Sequence, residues 1–244
     1  MSAYDALAPW YDAFTRDVDY GHFADFYEAL FRADGGEFSL VLDLCCGTGT
    51  LALIMSRRGY DMIAADASED MLMAARDKAA DLGSGAPLFI CQRADGLDLF
   101  GTVDAAYSSL DSFNYLSFEE LCGAFDRLRL FIRPGGLLVF DLRTPEFLRS
   151  MDGSVSVDET DDALCLWRGR FDHERGELVY GLDLFERVGE DIYEHRNEEH
   201  VEYAHDIAAV AAELEGRGFT EVRIGAPGPM AGEDRVFITA KRGD

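Results

Sequence analysis

Short apolar runs alternate with longer amphipathic stretches along the first 142 residues, and the two kinds of segment carry different periods. Phe38–Leu44, Asp61–Ala65, Pro87–Cys91, Val103–Ser108 and Gly136–Leu142 are brief and rich in apolar residues, as strands covered on both faces are. Gly49–Arg58, Ser68–Leu82 and Phe118–Phe131 repeat their apolar positions at three and four, the period of a helix. Ser68 stands ahead of Glu69 and Asp70, so its hydroxyl can accept a first-turn N–H while the acids meet the positive end of the helix dipole. Ser117, with Glu120 three positions on, reads as a capping box. Arg133-Pro134-Gly135-Gly136 predicts the turn into the fifth strand. Two helices, Tyr4–Phe14 and Tyr20–Ala33, precede the first strand and carry Trp10, Phe23, Phe26, Tyr27, Leu30 and Phe31 on apolar faces. Strand and helix in repeated succession imply right-handed crossovers. The predicted fold is α/β, with a doubly wound, mostly parallel sheet under helices on both sides.

After Leu142 the pattern changes. Leu164–His173, Glu177–Val188 and Asp191–Tyr203 are extended segments joined by turn-like His173–Gly176 and Gly189–Glu190. In the middle segment Leu178, Tyr180, Leu182 and Leu184 share one face, which predicts an antiparallel meander. Asp206–Arg217 returns to the helical period and ends at Gly218, and Phe219–Ile224 with Arg235–Ala240 reads as a closing strand pair. Those two strands bring the main sheet to seven. Without a repeat or a long linker, residues 1–244 read as one domain with an antiparallel β insertion over 144–203.

Composition narrows the function. The formal charge is -25, from 22 basic and 47 acidic residues, a field that repels a phosphate backbone and an anionic membrane surface. No nucleic-acid or membrane partner is expected. No apolar run reaches the roughly 18 residues a bilayer span requires. The first cation is Arg16, so the opening residues lack the basic region of a signal peptide. Cys45, Cys46, Cys91, Cys122 and Cys165 are odd in number and without CxxC spacing, which fits free thiols and a cytoplasmic location.

The chemistry concentrates in VLDLCCGTGT, Val41–Thr50. In an open parallel sheet, ligands sit at the carboxyl ends of the strands, and this stretch joins the first strand to its helix. Gly47 and Gly49 let the backbone approach a ligand, and the helix start offers free N–H groups. Asp66 ends the second strand 19 residues beyond Gly47, where a carboxylate can accept bonds from a ribose diol. Together these point to an adenosine cofactor. Gly47–Ala52 also satisfies the loose GxGxxG/A pattern of dinucleotide enzymes. Asp43 argues against that ligand, since a pyrophosphate disfavours a nearby carboxylate while a cationic amine and sulfonium favour one. A metal or redox role for Cys45-Cys46 lacks further ligands at matching spacing.

These residues resemble the class I S-adenosylmethionine-dependent methyltransferases, whose Rossmann-like fold carries an acidic residue and Gly-x-Gly-x-Gly after the first strand. Here the motif stands as Asp43-Leu44-Cys45-Cys46-Gly47-Thr48-Gly49, with Cys45 at the first glycine position, a residue that does not easily take a positive φ. The resemblance implies S-adenosylmethionine as cofactor, with Asp43, Cys45, Gly47 and Gly49 at its methionine end and Asp66 and Ala67 at its ribose. Asp95, flanked by Ala94 and Gly96, would reach the adenine amine, and Ser108 would lie beside the transferred methyl. RPGGLLVFDL matches the structural fifth-strand motif.

The resemblance extends to small-molecule N-methyltransferases, including glycine N-methyltransferase and the aminosugar dimethyltransferases. It implies that residues 1–33 form a helical lid in which Tyr11 closes over cofactor or substrate; packing of Tyr4, Trp10 and Tyr11 on the sheet is the competing reading. In the loop Ser108–Leu116, Asp111, Asn114 and Tyr115 are candidates to hold an acceptor, with Asn114 alternatively a turn residue. Arg235, after the loop GAPGPMAGEDR, reads either as a contact for an anionic substrate or as a solvent-exposed arginine, the second being expected. Arg143, Arg168 and Arg170 line either a basic pocket or a solvated face. His195 and His200, five apart, fall on opposite faces of a strand, and no metal site is expected at them or at His205. The expected activity is methyl transfer to a small molecule, by preference an amine. A nicotinamide-type oxidoreductase and a non-catalytic cofactor-binding protein are the alternatives. No general base is assigned, and oligomeric state and acceptor identity stay open.

Overall fold

The computed structural model describes residues 6–226, 228–232 and 234–244. Helices α1 (Tyr11–Phe14) and α2 (Tyr20–Asp34) precede β1 (Leu40–Leu44), α3 (Thr50–Arg57), β2 (Asp61–Asp66), α4 (Glu69–Ala79), β3 (Leu88–Cys91) and β4 (Val103–Ser108). Then come α5 (Phe118–Phe131), β5 (Ile132–Arg143), α6 (Pro145–Ser150), and the strands β6 (Val155–Glu159), β7 (Ala163–Asp172), β8 (Glu177–Arg187) and β9 (Tyr193–Tyr203). The chain closes with α7 (Ile207–Gly216), β10 (Phe219–Ala226) and β11 (Arg235–Arg242). No helix among the described residues is long and apolar enough to cross a membrane.

Seven strands form one sheet in the order β10-β11-β5-β4-β1-β2-β3. β1 to β5 run parallel, while β11 pairs antiparallel with β5 and β10. The crossovers diverge between β1 and β4, so this is where a crevice opens at the strand ends. Phe113, Phe125, Leu128, Val210 and Leu214 pack one face of the sheet; Phe23, Tyr27, Phe31, Leu51 and Met55 pack the other. Coverage on both faces is why Val41–Leu44 are all buried, Asp43 included.

A second sheet, in the order β6-β7-β8-β9, is antiparallel throughout. The meander is therefore four strands and not three. Val155 and Val157 of β6 are exposed on an edge strand, so the burial contrast that marks a strand is absent there. Asn114 ties the second sheet to the first. It is fully buried, its Nδ2 donating to the Tyr203 carbonyl at 3.0 Å and its Oδ1 accepting from the Arg143 amide at 2.9 Å.

The predicted helix Tyr4–Phe14 reduces to the four residues of α1, and Tyr4 lies outside the described residues. Pro9 lacks the N–H a longer helix would use, and Leu7 is instead buried against Ala163, Cys165, Leu182 and Leu184 of the second sheet. The predicted Arg133–Gly136 turn is absorbed into β5 as a bulge, with Gly135 at φ 74.

Arg235 corrects a further expectation. It is not solvent-exposed; it is 2% exposed, and its guanidinium bonds to Asp141 of β5 and Asp111 of the loop after β4. That loop is strained, with Leu110 at φ 58 and Asp111 at φ 54. It is held by Arg235 and by Asp141, whose Oδ2 accepts the Asp111 amide at 3.0 Å. Arg235→Met, which keeps bulk and removes the charge, leaves two carboxylates without their partner. Denaturant titration is expected to show a loss of about 3–5 kcal/mol; a loss under about 1 kcal/mol would mean that the loop holds itself.

Candidate active site

Two strand-to-helix turns meet at the ends of β1 and β2. The Cys46 amide donates to the Ala65 carbonyl at 3.0 Å, and the Gly47 amide to Asp66 Oδ2 at 2.8 Å. Asp66 Oδ1 accepts the Ser68 amide at 2.9 Å, so one carboxylate holds both turns. Cys45 sits at φ 62, contrary to the expectation for a non-glycine residue. Such a residue costs on the order of 1–3 kcal/mol and persists where its surroundings over-determine it; here the bonds made by Cys46 and Gly47 do so. Gly49, at φ 70, packs tightly: a Cβ would lie 3.0 Å from both Ala75 and Phe89. At Gly47, φ 54, a Cβ would meet open space. Packing demands the glycine at 49, while 47 borders the crevice.

Asp43 lies under this loop at 3% exposure, and no described lysine or arginine pairs with it. Burial pushes its carboxyl up to about 8, the Tyr107 hydroxyl (3.2 Å) pulls it down, and the Asp66 charge adds to the rise. Tyr107 stacks on Tyr27 at 4.4 Å, and the Tyr27 hydroxyl bonds Ser109 at 2.7 Å. In the sequence Tyr107 reads as one more strand residue; only the register opposite Asp43 reveals it. Burial, with Asp43 and Asp66 nearby, also raises the Cys45 and Cys46 thiols, so both stay protonated and neither is a thiolate ligand or nucleophile.

Tyr11, Tyr20, Asp43, Cys45, Thr50 and Ser109 line a small, partly open cleft over the end of β1. Asp12, which sequence reasoning missed, fastens the segment beside Tyr11. Its Oδ1 accepts the Thr48 hydroxyl at 2.6 Å, and its Oδ2 meets Lys78 Nζ at 2.6 Å. Lys78 also reaches the Thr50 hydroxyl at 2.7 Å. On the other side Trp10 Nε1 donates to Glu186 of β8 at 2.6 Å. The segment thus spans from the glycine loop to the second sheet.

The remaining residues disperse. Ser108 is buried with its hydroxyl beside the Cys45 thiol. Ala94 is buried and Gly96 exposed in a single 3₁₀ turn, Ala67 is exposed, and half-buried Asp95 is paired with Arg93 at 3.0 Å. Asp111 is engaged by Arg235 and lies 3.5 Å from Arg143, while Asn114 is spent on main chain. Tyr115 packs edge-on to His200 at 6.1 Å. Arg143 pairs with Asp234 and Arg168 with Asp183, and Arg170 is exposed, so the three do not converge. Nor do the histidines, which bond Asp183 (His195), Glu198 (His200) and the Leu116 carbonyl (His205).

Asp43 yields a pH prediction. Its carboxyl titrates near 3.8 unfolded and about 8 folded, so its contribution is fully present below about pH 4 and is lost as the pH rises through 8. Asp43→Asn abolishes that loss. The stability of the variant relative to wild type should climb from pH 5 to pH 8, by at most about 1.4 kcal/mol per pH unit, in urea titrations without ligand. A gap that is the same at both pH values would place the ionisation elsewhere.

Known proteins agree with this architecture. The family described as "Methyltransferase domain" matches residues 41–136, from the start of the glycine loop strand into β5. A Geobacillus sp. (strain WCH70) protein, named only provisionally as a methyltransferase, is 27% identical over 98% of this chain and 99% of its own. A crystal structure of an S-adenosylmethionine-dependent methyltransferase from Clostridium acetobutylicum is 25% identical with a TM-score of 0.85, covering 100% of both chains. Streptomyces venezuelae DesVI, at 24% identity, shares the fold with a TM-score of 0.80 over 96% of this chain and 97% of its own. The sequence match that begins at the glycine-loop strand and the fold match over the whole length coincide, and together they support a class I S-adenosylmethionine-dependent methyltransferase.

Proposed function

We propose that this enzyme methylates the nitrogen of a small, soluble amine in the cytoplasm, with no nucleic-acid substrate. The observation that carries the reading is the pairing of Asp111 with Arg235. A hydroxyl acceptor requires a base, and the one acidic side chain of the loop after β4 is committed to a guanidinium; a neutral amine requires none. The fastening of the N-terminal segment between the glycine loop and the second sheet supports the same reading, because it narrows access for a polymer. The sugar N-methyltransferase KedS8 shares the fold at 20% identity and a TM-score of 0.80.

The residues present fit S-adenosylmethionine. Asp43 is a buried carboxylate without a cation, suited to the cofactor's positive end. Asp66 has two amide bonds and spare lone pairs for ribose hydroxyls. Gly47 borders open space, Cys45 and Ser108 stand beside it, Ala67 follows Asp66, and Ala94, Asp95 and Gly96 form the turn assigned to adenine. When bound, the cofactor supplies an electrophilic methyl on a sulfonium. The protein's part is alignment and exclusion of water: Tyr11 and the Asp12–Lys78 clasp close one side, and Tyr115 borders the acceptor. We take residues 1–33 as the lid and 144–203 as an insertion in one domain.

Asp66→Ala is expected to weaken S-adenosylhomocysteine binding in calorimetry by about 1.5–3 kcal/mol for each charge-assisted bond lost. Unchanged affinity would remove Asp66 from the site. Incubation of cell extract with methyl-labelled cofactor should place label in the small-molecule fraction, on nitrogen. Label confined to macromolecules would refute the substrate class.

A further inference from the structure

The inner face of the second sheet carries a buried carboxyl that has no ion-pair partner among the described residues. Along β9, Glu198, His200 and Glu202 alternate inward, facing Leu182, Tyr180 and Leu178 of β8. His200 Nε2 and Glu198 Oε2 pair at 3.0 Å. Glu202 is different. It is 4% exposed, and its Oε2 is buried with no hydrogen-bond partner. Around it stand Asp111, Arg143 and the Tyr115 hydroxyl, with Tyr180 on β8.

Among the described residues, the neighbouring arginines are already engaged. Arg235 is taken by Asp141 and Asp111, and Arg143 by Asp234 at 2.8 Å, with Asp111 at 3.5 Å. Four carboxylates, Asp111, Asp141, Asp234 and Glu202, share two arginines, and Glu202 has no ion pair among the described residues. Burial, reinforced by the Asp111 charge, raises its carboxyl, against the pull of Arg143 and Tyr115. A buried carboxylate in this position either keeps a proton or meets a cation from outside.

The surroundings suit such a cation. Tyr115, Trp167 and Tyr180 are half-buried and gather about His200, with Trp167 at 5.9 Å from it and 6.2 Å from Tyr180. Aromatic faces attract ammonium groups, and Tyr115 belongs to the loop that follows β4, at the strand ends where the crevice opens. We propose that Glu202 receives the acceptor in its ammonium form and takes up one proton from it, so that the nitrogen is neutral when the methyl is transferred, in a pocket walled by Tyr115, Trp167 and Tyr180. This makes Glu202 a specificity-determining residue and rests on the amine reading above.

The test uses the intact protein with S-adenosylhomocysteine saturating. Glucosamine, ethanolamine and benzylamine, each beside its N-acetyl derivative, are titrated against wild type, Glu202→Gln and Glu202→Asp and followed by thermal melting. At least one amine should stabilise wild type while its N-acetyl derivative does not. Glu202→Gln should weaken that amine at least tenfold, and Glu202→Asp should retain the preference for amine over amide. Glutamine removes a buried charge at constant size, and unchanged S-adenosylhomocysteine affinity in calorimetry verifies that each variant is folded. An amine response that survives Glu202→Gln overturns the Glu202 assignment and leaves the amine reading standing. Binding of the N-acetyl compounds alone, or of none of the six, overturns the assignment, and the former overturns the amine reading with it.

Discussion

The structure turns on the guanidinium of Arg235, wholly buried between Asp141 and Asp111. Three parts of the chain meet there: the last strand, the end of β5 and the strained loop after β4. Desolvating such charges costs several kcal/mol for each ion, which their mutual attraction offsets only in good geometry. The arrangement therefore tolerates little movement. It holds Leu110 and Asp111 in the left-handed region, fixing the loop that faces the crevice. It also consumes Asp111, so the one carboxylate that a reader of the loop would nominate as a base has another task.

The remaining acidic side chains differ in how they are compensated. Asp66 accepts two backbone amides and Asp95 pairs with Arg93. Asp43 and Glu202 are buried without a cation, one below the glycine loop and the other on the sheet that covers the strand ends. An unpaired charge in low dielectric is unfavourable in the free protein and attractive to a cation entering the crevice. A methyl donor bearing a sulfonium and an acceptor bearing an ammonium would supply two such cations. The neutral thiols of Cys45 and Cys46 suit the same site, since their raised pKa keeps them from competing for methyl transfer.

The N-terminal segment is held by a few side-chain contacts and not by a long helix. Leu7 is anchored in the apolar face of the second sheet, Trp10 bonds Glu186, and Asp12 reaches Thr48 and Lys78 on the glycine-loop side. Side-chain ion pairs with partial solvent access are individually weak, near 1 kcal/mol or less. Leu7 supplies the apolar anchoring, worth about 1.5–3 kcal/mol for a fully buried leucine.

The sequence by itself determined what is local. Short apolar runs and a period near four placed the strands and helices of the main sheet, Ser68 and Ser117 cap as their spacing predicts, and Asp43 stands out as a charge inside an apolar strand. Each depends on residues within a turn or two of one another. Only the tertiary structure decided the rest. Arg235 is buried because Asp141 and Asp111, 94 and 124 positions away, arrive beside it; on its own strand it looks like any surface arginine. Cys45 accepts a positive φ because bonds from Cys46 to Ala65 and from Gly47 to Asp66 outweigh the local preference. Asn114, legible as a turn residue or an acceptor contact, is a buried link between the sheets because β9 ends next to it, 89 positions on. Burial and pairing belong to neighbours that are distant in the chain, and a propensity read from adjacent residues carries no information about them.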